Sequence, residues 1–221
     1  MAIARVQGPT SNTGASPTTV SFASNPTTGN LMVAIARTFT GGASTNGSIP
    51  GWTRATGMRA GSSAYGGVWY KVVGAGESKD VVLTWTGSSE TAMVIEEWGG
   101  FTGTPTLDKI ANTDYTSAAK SQTSGTCATT TAAAELCIAF FSMGSTAVTA
   151  TWSNSFALEV TNAPTYNFYL GSRVAAATWA AETTITWTDT ARVCGGLIAT
   201  FMGVSATILN ISVSDGDTVY D

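Results

Sequence analysis

Apolar residues fall in short runs along this chain, and the runs are of two kinds. In "VVLTWT" and "TTITWT" apolar and polar positions alternate strictly. Side chains alternate across a strand, so Val81, Leu83 and Trp85 share one face and Val82, Thr84 and Thr86 the other. Ile185 and Trp187 likewise stand opposite Thr184, Thr186 and Thr188. This pattern predicts half-buried strands with an apolar core face and a threonine face outside. In "LMVAIA" and "LCIAFF" the apolar residues are continuous. No stretch holds a helical period. Clusters of Gly, Pro, Asn and Ser separate the runs, with turn signals in "IPGWT" and "GAGES". The predicted strands cover 18–23, 31–38, 65–73, 80–86, 91–98, 123–129, 135–142, 147–152, 166–174, 183–188 and 193–201. Many short strands between turn signals read as an all-β protein, a two-sheet antiparallel β-sandwich.

The order of these runs is stated twice. "GNLMVAIA", "GWTRAT" and "VVLTWTGSSETAMVIEEWGGF" are followed by "AELCIAFF", "SFALEV" and "TTITWTDTARVCGGLIATF". Leu31 corresponds to Leu136, Trp52 to Phe156, Trp85 to Trp187 and Trp98 to Phe201, so the offset stays between 102 and 105. A period of that size exceeds the roughly 20–50 residues of solenoid units. Two quasi-repeated halves, about 3–108 and 123–203, are expected either as two domains or as one sandwich, and we favour one sandwich over residues 1–203. The polar segment 99–122 reads as the link between them. Residues 204–221 lie outside the repeat, as an added edge strand or as an arm that pairs with a neighbour.

Charge changes the picture in one respect. Charged residues make up 11% of the chain, against about 25% in an average globular protein. The surface is therefore built largely from Ser, Thr, Ala and Gly, which suits packing against other protein. A net charge of -4 and a pI near 4.7 exclude the basic stripe of a nucleic-acid binder. The apolar runs are too short to span a membrane as helices, which takes about 20 residues. The N-terminal "MAIARVQGPTSNTG" carries no apolar signal core, so signal-dependent secretion is not expected. Three cysteines make no disulfide framework. Cys137 and Cys194 lie in apolar runs and read as buried thiols, whereas Cys127 sits in a Thr-rich stretch and reads as half-exposed.

Candidate chemistry is sparse. The chain has no histidine, which removes Ser-His-Asp and Cys-His catalysis and imidazole zinc sites. "GPTSNTG" lacks the lysine and following helix of a phosphate loop and reads as loop. Glu96 and Glu97 are adjacent in a strand and point to opposite faces, one of them partly buried. A glycosidase would need a second carboxyl about 5–10 Å away, from Asp108, Asp114 or Glu159. Asp215, Asp217 and Asp221 lack a full calcium-ligand set and read as a solvated acidic tail. No catalytic residue, cofactor or metal is assigned, and an enzyme is not expected. Among the tryptophans, Trp85 and Trp187 read as core. Trp152 and Trp179, with Tyr115 and Tyr166, are the candidate surface or interface aromatics, suited to a protein interface or a sugar platform.

The ordered set "NPTTGNLMVAIA", "GWTRA", "VWYKVVGAGESKDVVLTW" and "VIEEWGGFTGTPTLD" resembles a jelly-roll-like β-sandwich family of tailed-phage virion structural proteins, found also in bacterial surface proteins. It spans about 3–108, with a weaker echo over 123–203 that lacks the "GFTGTPTLD" ending. The resemblance implies a non-enzymatic virion component, a capsid decoration protein that binds the outside of the assembled capsid and stabilises it by mass action. The implied partners are the major capsid protein or another virion protein and further copies of this chain, with a trimer as the candidate assembly. Residues 1–17 or 204–221 would be the contact arms. The virion, assembled in the host cytoplasm, is the implied location. The alternative is a carbohydrate-binding module of a phage fibre or cell-surface protein, with a glycan as partner.

Overall fold

A computed structural model of the chain describes residues 2–39, 47–59, 64–87, 90–115, 117–143, 149–162 and 168–204. Tyr166 and the segment after 204 lie outside the described residues. No helix long and apolar enough to cross a membrane occurs among the described residues.

The alternating and continuous runs form strands as the pattern requires. In chain order these are β1 (Ala4–Gly14), β2 (Thr18–Ser21), β3 (Leu31–Phe39), β4 (Gly47–Ser48), β5 (Thr53–Arg59), β6 (Ala64–Val72), β7 (Asp80–Trp85) and β8 (Thr91–Gly99). They continue as β9 (Thr104–Thr113), β10 (Ser121–Thr123), β11 (Glu135–Met143), β12 (Ala150–Trp152), β13 (Ala157–Asn162), β14 (Phe168–Ala175), β15 (Thr184–Trp187) and β16 (Cys194–Val204). The described ladders are all antiparallel.

The chain builds the expected antiparallel sandwich architecture, with four sheets where the pattern counted two. Two sheets have five strands, β1-β8-β3-β6-β5 and β13-β14-β11-β16-β9, and two have three, β2-β7-β4 and β10-β15-β12. Adding eight to each strand number of the first five- and three-stranded sheets yields the second pair. Strands before and after residue 100 do not interleave.

Three apolar cores stack these sheets into four layers. In the middle, Leu31, Val33 and Ile35 of β3 meet Leu136, Ile138 and Phe140 of β11, with Val94 and Trp98 of β8 and Leu197 and Phe201 of β16 in the same cluster. On the other face of β3, Met32, Ala34 and Ala36 pack with Val81, Leu83 and Trp85 of β7. On the other face of β11, Cys137, Ala139 and Phe141 pack with Ile185 and Trp187 of β15. The continuous apolar runs are thus the strands covered on both sides. The alternating runs β7 and β15 belong to the outer sheets, and their threonine faces are turned outward, as expected.

The five-stranded sheets also meet at their rims. β5 stands against β9, where the Arg59 amide donates to Asp114 Oδ1 at 2.7 Å and Asn112 Nδ2 donates to the Gly57 carbonyl at 3.1 Å. On the other rim Arg5 of β1 pairs with Glu159 of β13. Exchanging each strand for its counterpart eight positions away turns one rim contact into the other, the relation found in an isologous interface.

Several expectations change. "GPTSNTG" is no loop, and residues 4–14 are no free arm. They form β1, paired to β8 with two register shifts. Gly8 makes that bulge with φ of 86°, and a Cβ there would lie 2.6 Å from the Ile95 carbonyl oxygen, so only glycine fits. The link 99–122 contains β9, the edge strand of the second five-stranded sheet. The strand expected at 123–129 is the short β10 instead. β5 and β13 lacked a clean alternation because one register shift interrupts each.

Candidate functional site

Because β8 lies in a layer covered on both faces, Glu96 and Glu97 are both fully buried, which corrects the expectation of a single partly buried carboxylate. Each is satisfied differently. Glu97 points into the first outer core, where Oε1 accepts the Thr27 amide at 2.8 Å and Asn30 Nδ2 at 2.6 Å, and Oε2 accepts Gln7 Nε2. In the second half the corresponding loop amide, Ala132, is 105 residues on and donates at 2.7 Å to Glu135 of β11. The same loop is tied down twice by a buried carboxylate, supplied by a different strand each time. Burial beside Asp108 raises Glu135. Asp108 is held down by donors from Thr131 and Lys109. Glu97→Ala leaves three donors without their acceptor, and the expected loss is about 2–3 kcal/mol. Urea unfolding reads it as a lower midpoint at unchanged m.

Glu96 points the other way, into the rim of the central core. Its Oε1 accepts Arg5 Nη1 at 3.3 Å and its Oε2 accepts Trp98 Nε1 at 3.1 Å. Arg5 also pairs with Glu159, whose Oε1 accepts Ser172 Oγ at 2.5 Å. The guanidinium lies 5.8 Å from the centre of the Trp98 ring. Burial pushes Glu96 up to about 7, and the nearby Glu159 charge adds to the shift against the opposing Trp98 and Arg5 contacts.

The structure therefore brings Glu159 to Glu96, and leaves Asp108 and Asp114 at other places. The two carboxylates share Arg5, whose Nη1 pairs with both. This arrangement is an ion-pair tie between the two five-stranded sheets.

Three of the candidate aromatics, Trp152, Trp179 and Tyr115, lie within the described residues. Trp152 and Trp179 are half-buried and pack against the second outer core. Trp152 meets Phe141 edge-on at 5.3 Å and stacks on Phe156 at 6.1 Å, and Trp179 lies 4.3 Å beneath the Arg173 guanidinium. Tyr115 is half-buried, and its amide donates to the Arg59 carbonyl at 3.2 Å. Trp85 and Trp187 are buried core, as expected. Cys127 is buried rather than half-exposed. Burial pushes Cys127 up to about 11 and Cys137 up to about 12, and raises Cys194 too, so all three are held as thiols. No cluster of three or more His, Cys, Asp or Glu suited to a metal occurs among the described residues.

One open groove of about 550 Å³ lies where β5 meets β9, lined by Arg54, Met58, Arg59, Tyr65, Asn112 and Asp114 among others. Arg54 lies 5.5 Å from the centre of the Trp69 ring, and Arg59 5.5 Å from that of Tyr65. Aromatic faces thus hold two cations at one opening, a geometry suited to acidic or planar groups. Sequence reasoning missed this groove, because "TRATGMR" gives no strand signal and Asn112 and Asp114 are more than fifty residues away. No protein-family model matches the chain, and neither does any curated protein or any solved structure.

Proposed function

We propose that this chain is a non-enzymatic structural protein of a tailed-phage virion, a decoration protein that binds the outer surface of the assembled capsid. The observation that carries this reading is the four-layer stack. Its two inner sheets are covered on both faces, and its outer sheets turn threonine-rich faces outward, with Thr84, Thr86, Thr186 and Thr188 beside Val82 and Asp80. A closely packed block of low charge content, 11% of its residues, suits repeated contact with a protein lattice. The sequence resemblance points the same way. The buried carboxylates are tied to arginine and to loop amides, so they support holding the fold rather than turnover. By binding the shell and not its free subunits, the protein stabilises the shell by mass action. The major capsid protein is the partner, and further copies of this chain are its neighbours on the lattice.

Co-sedimentation with assembled, undecorated phage capsids tests this. The expected result is saturable binding to capsids and none to unassembled capsid subunits. Absence of capsid binding, together with retention on a glycan array, overturns it in favour of a carbohydrate-binding module.

A further inference from the structure

The groove where β5 meets β9 is built around two arginines. Arg54 and Arg59 are five residues apart, so an unbroken strand would turn them to opposite faces. The register shift between Arg54 and Thr56 restores them to one face, with Arg54 opposite Trp69, Gly57 opposite Gly67 and Arg59 opposite Tyr65. Each guanidinium lies against the ring of its own partner on β6, 5.5 Å from the ring centre. Both arginines are exposed.

The glycine pair sets where the Arg54 head goes. A Cβ at Gly57 would collide with Arg54 Nη2, and one at Gly67 would lie 3.3 Å from Arg54 Nε. The Arg54 side chain therefore runs along the face of the sheet, across Gly57 and toward Arg59. Gly57 and Arg59 are two residues apart, about 7 Å along a strand. Two guanidinium forks thus come to one opening.

The charges there are not balanced. The described ion pairs use Arg5, Lys71, Lys109 and Arg192, and none uses Arg59. Asp114, just after β9, is the acidic residue of the lining, and its Oδ1 accepts the Arg59 amide at 2.7 Å. Two cations therefore stand against one carboxylate, in a chain whose net charge is -4. The volume of about 550 Å³ is that of a small-molecule site. A guanidinium matches the paired oxygens of a carboxylate or phosphate, and a ring beneath it fixes its plane before the ligand arrives.

We propose that this groove is an oxyanion site, in which Arg54 and Arg59 together bind one phosphate or carboxylate group of a small molecule. Asp114 opposes the charge of that group and holds the affinity down. The site stands apart from the virion reading, since it involves no capsid contact.

The test is an NMR titration of the full chain at constant ionic strength, with inorganic phosphate and with glutarate as probes. Saturable shifts are expected in residues 54–59, Tyr65 and 112–114, with a Kd below about 10 mM for at least one probe. The tighter probe identifies the chemistry, phosphate or carboxylate. Arg59→Lys keeps the charge and loses the fork, and is expected to weaken binding at least about fivefold. Asp114→Asn still accepts the Arg59 amide and loses the opposing charge, and is expected to tighten binding at least about threefold. Lys71→Ala, at the far end of β6, removes a cation elsewhere and should change the Kd less than about twofold. Shifts that fail to saturate or that centre outside the groove overturn the proposal. So does an Arg59→Lys variant that binds as the parent does, or an Asp114→Asn variant that binds no tighter.

Discussion

Phe140→Ala is expected to lower the unfolding free energy by about 4 kcal/mol, the cost typical of removing a large aromatic ring from a packed core. Phe140 is fully buried at the centre of the middle core, edge-on to Phe168 at 5.7 Å. It belongs to β11, yet its ring presses on Gly66 of β6 in the other half, where a Cβ would lie 2.5 Å from it. Gly66 has no side chain to move into the vacated space, so the cavity persists and the loss falls at the upper end of its class. Val82→Thr, on the outward face of β7 and 38% exposed, is the matched control and should change stability by less than about 0.5 kcal/mol. Chemical denaturation of both variants gives the comparison. A loss below about 1 kcal/mol for Phe140→Ala would show that the two five-stranded sheets are not packed on each other as described.

Acidification is expected to stabilise the protein. Glu96 titrates at about 7 when folded against a reference value of 4.5. A raised carboxyl contributes stability that is fully present below the reference value and is lost as pH rises through the folded value. Between pH 8 and pH 5 the gain is about 3 kcal/mol from this group. The charges give the reason. With Glu96 ionised, two carboxylates share the single guanidinium of Arg5. With Glu96 protonated, Arg5 and Glu159 remain as a matched pair and Trp98 keeps its acceptor. Glu135 is raised as well, chiefly by burial, so its shift has the same sign. Glu96→Gln should therefore remove most of the slope between pH 5 and 8 and make the protein more stable at pH 8. Urea midpoints of both proteins across that range decide it. A wild-type midpoint that falls on acidification from pH 8 to 5 would contradict the assignment.

The strands that face water on one side were legible in the sequence, since Val81, Leu83 and Trp85, and again Ile185 and Trp187, keep strict parity. The extents of β3, β8, β11 and β16 were also close. Their double burial was written in the continuous runs "LMVAIA" and "LCIAFF", but a two-sheet reading assigned one face of every strand to solvent. That one assumption hid the second pair of sheets and the burial of both glutamates. The edge strands β1 and β9 were hidden for a different reason. An edge strand tolerates polar residues, bulges and proline, so Gly8, Pro9 and Pro105 looked like loop. The tie around Glu96 was beyond local pattern, because Arg5 lies 91 residues away and Glu159 comes from the other half. The groove at Arg54 and Arg59 likewise exists only once β5 and β9 meet.

The most direct test of the four-layer account is native-state hydrogen exchange across the whole chain. Amides of β3, β8, β11 and β16 should exchange only by global unfolding, with one common free energy, because the central core makes the two halves a single cooperative unit. Loss of protection in β11 and β16 at lower denaturant, while β3 and β8 stay protected, would contradict it and describe two sandwiches that unfold separately.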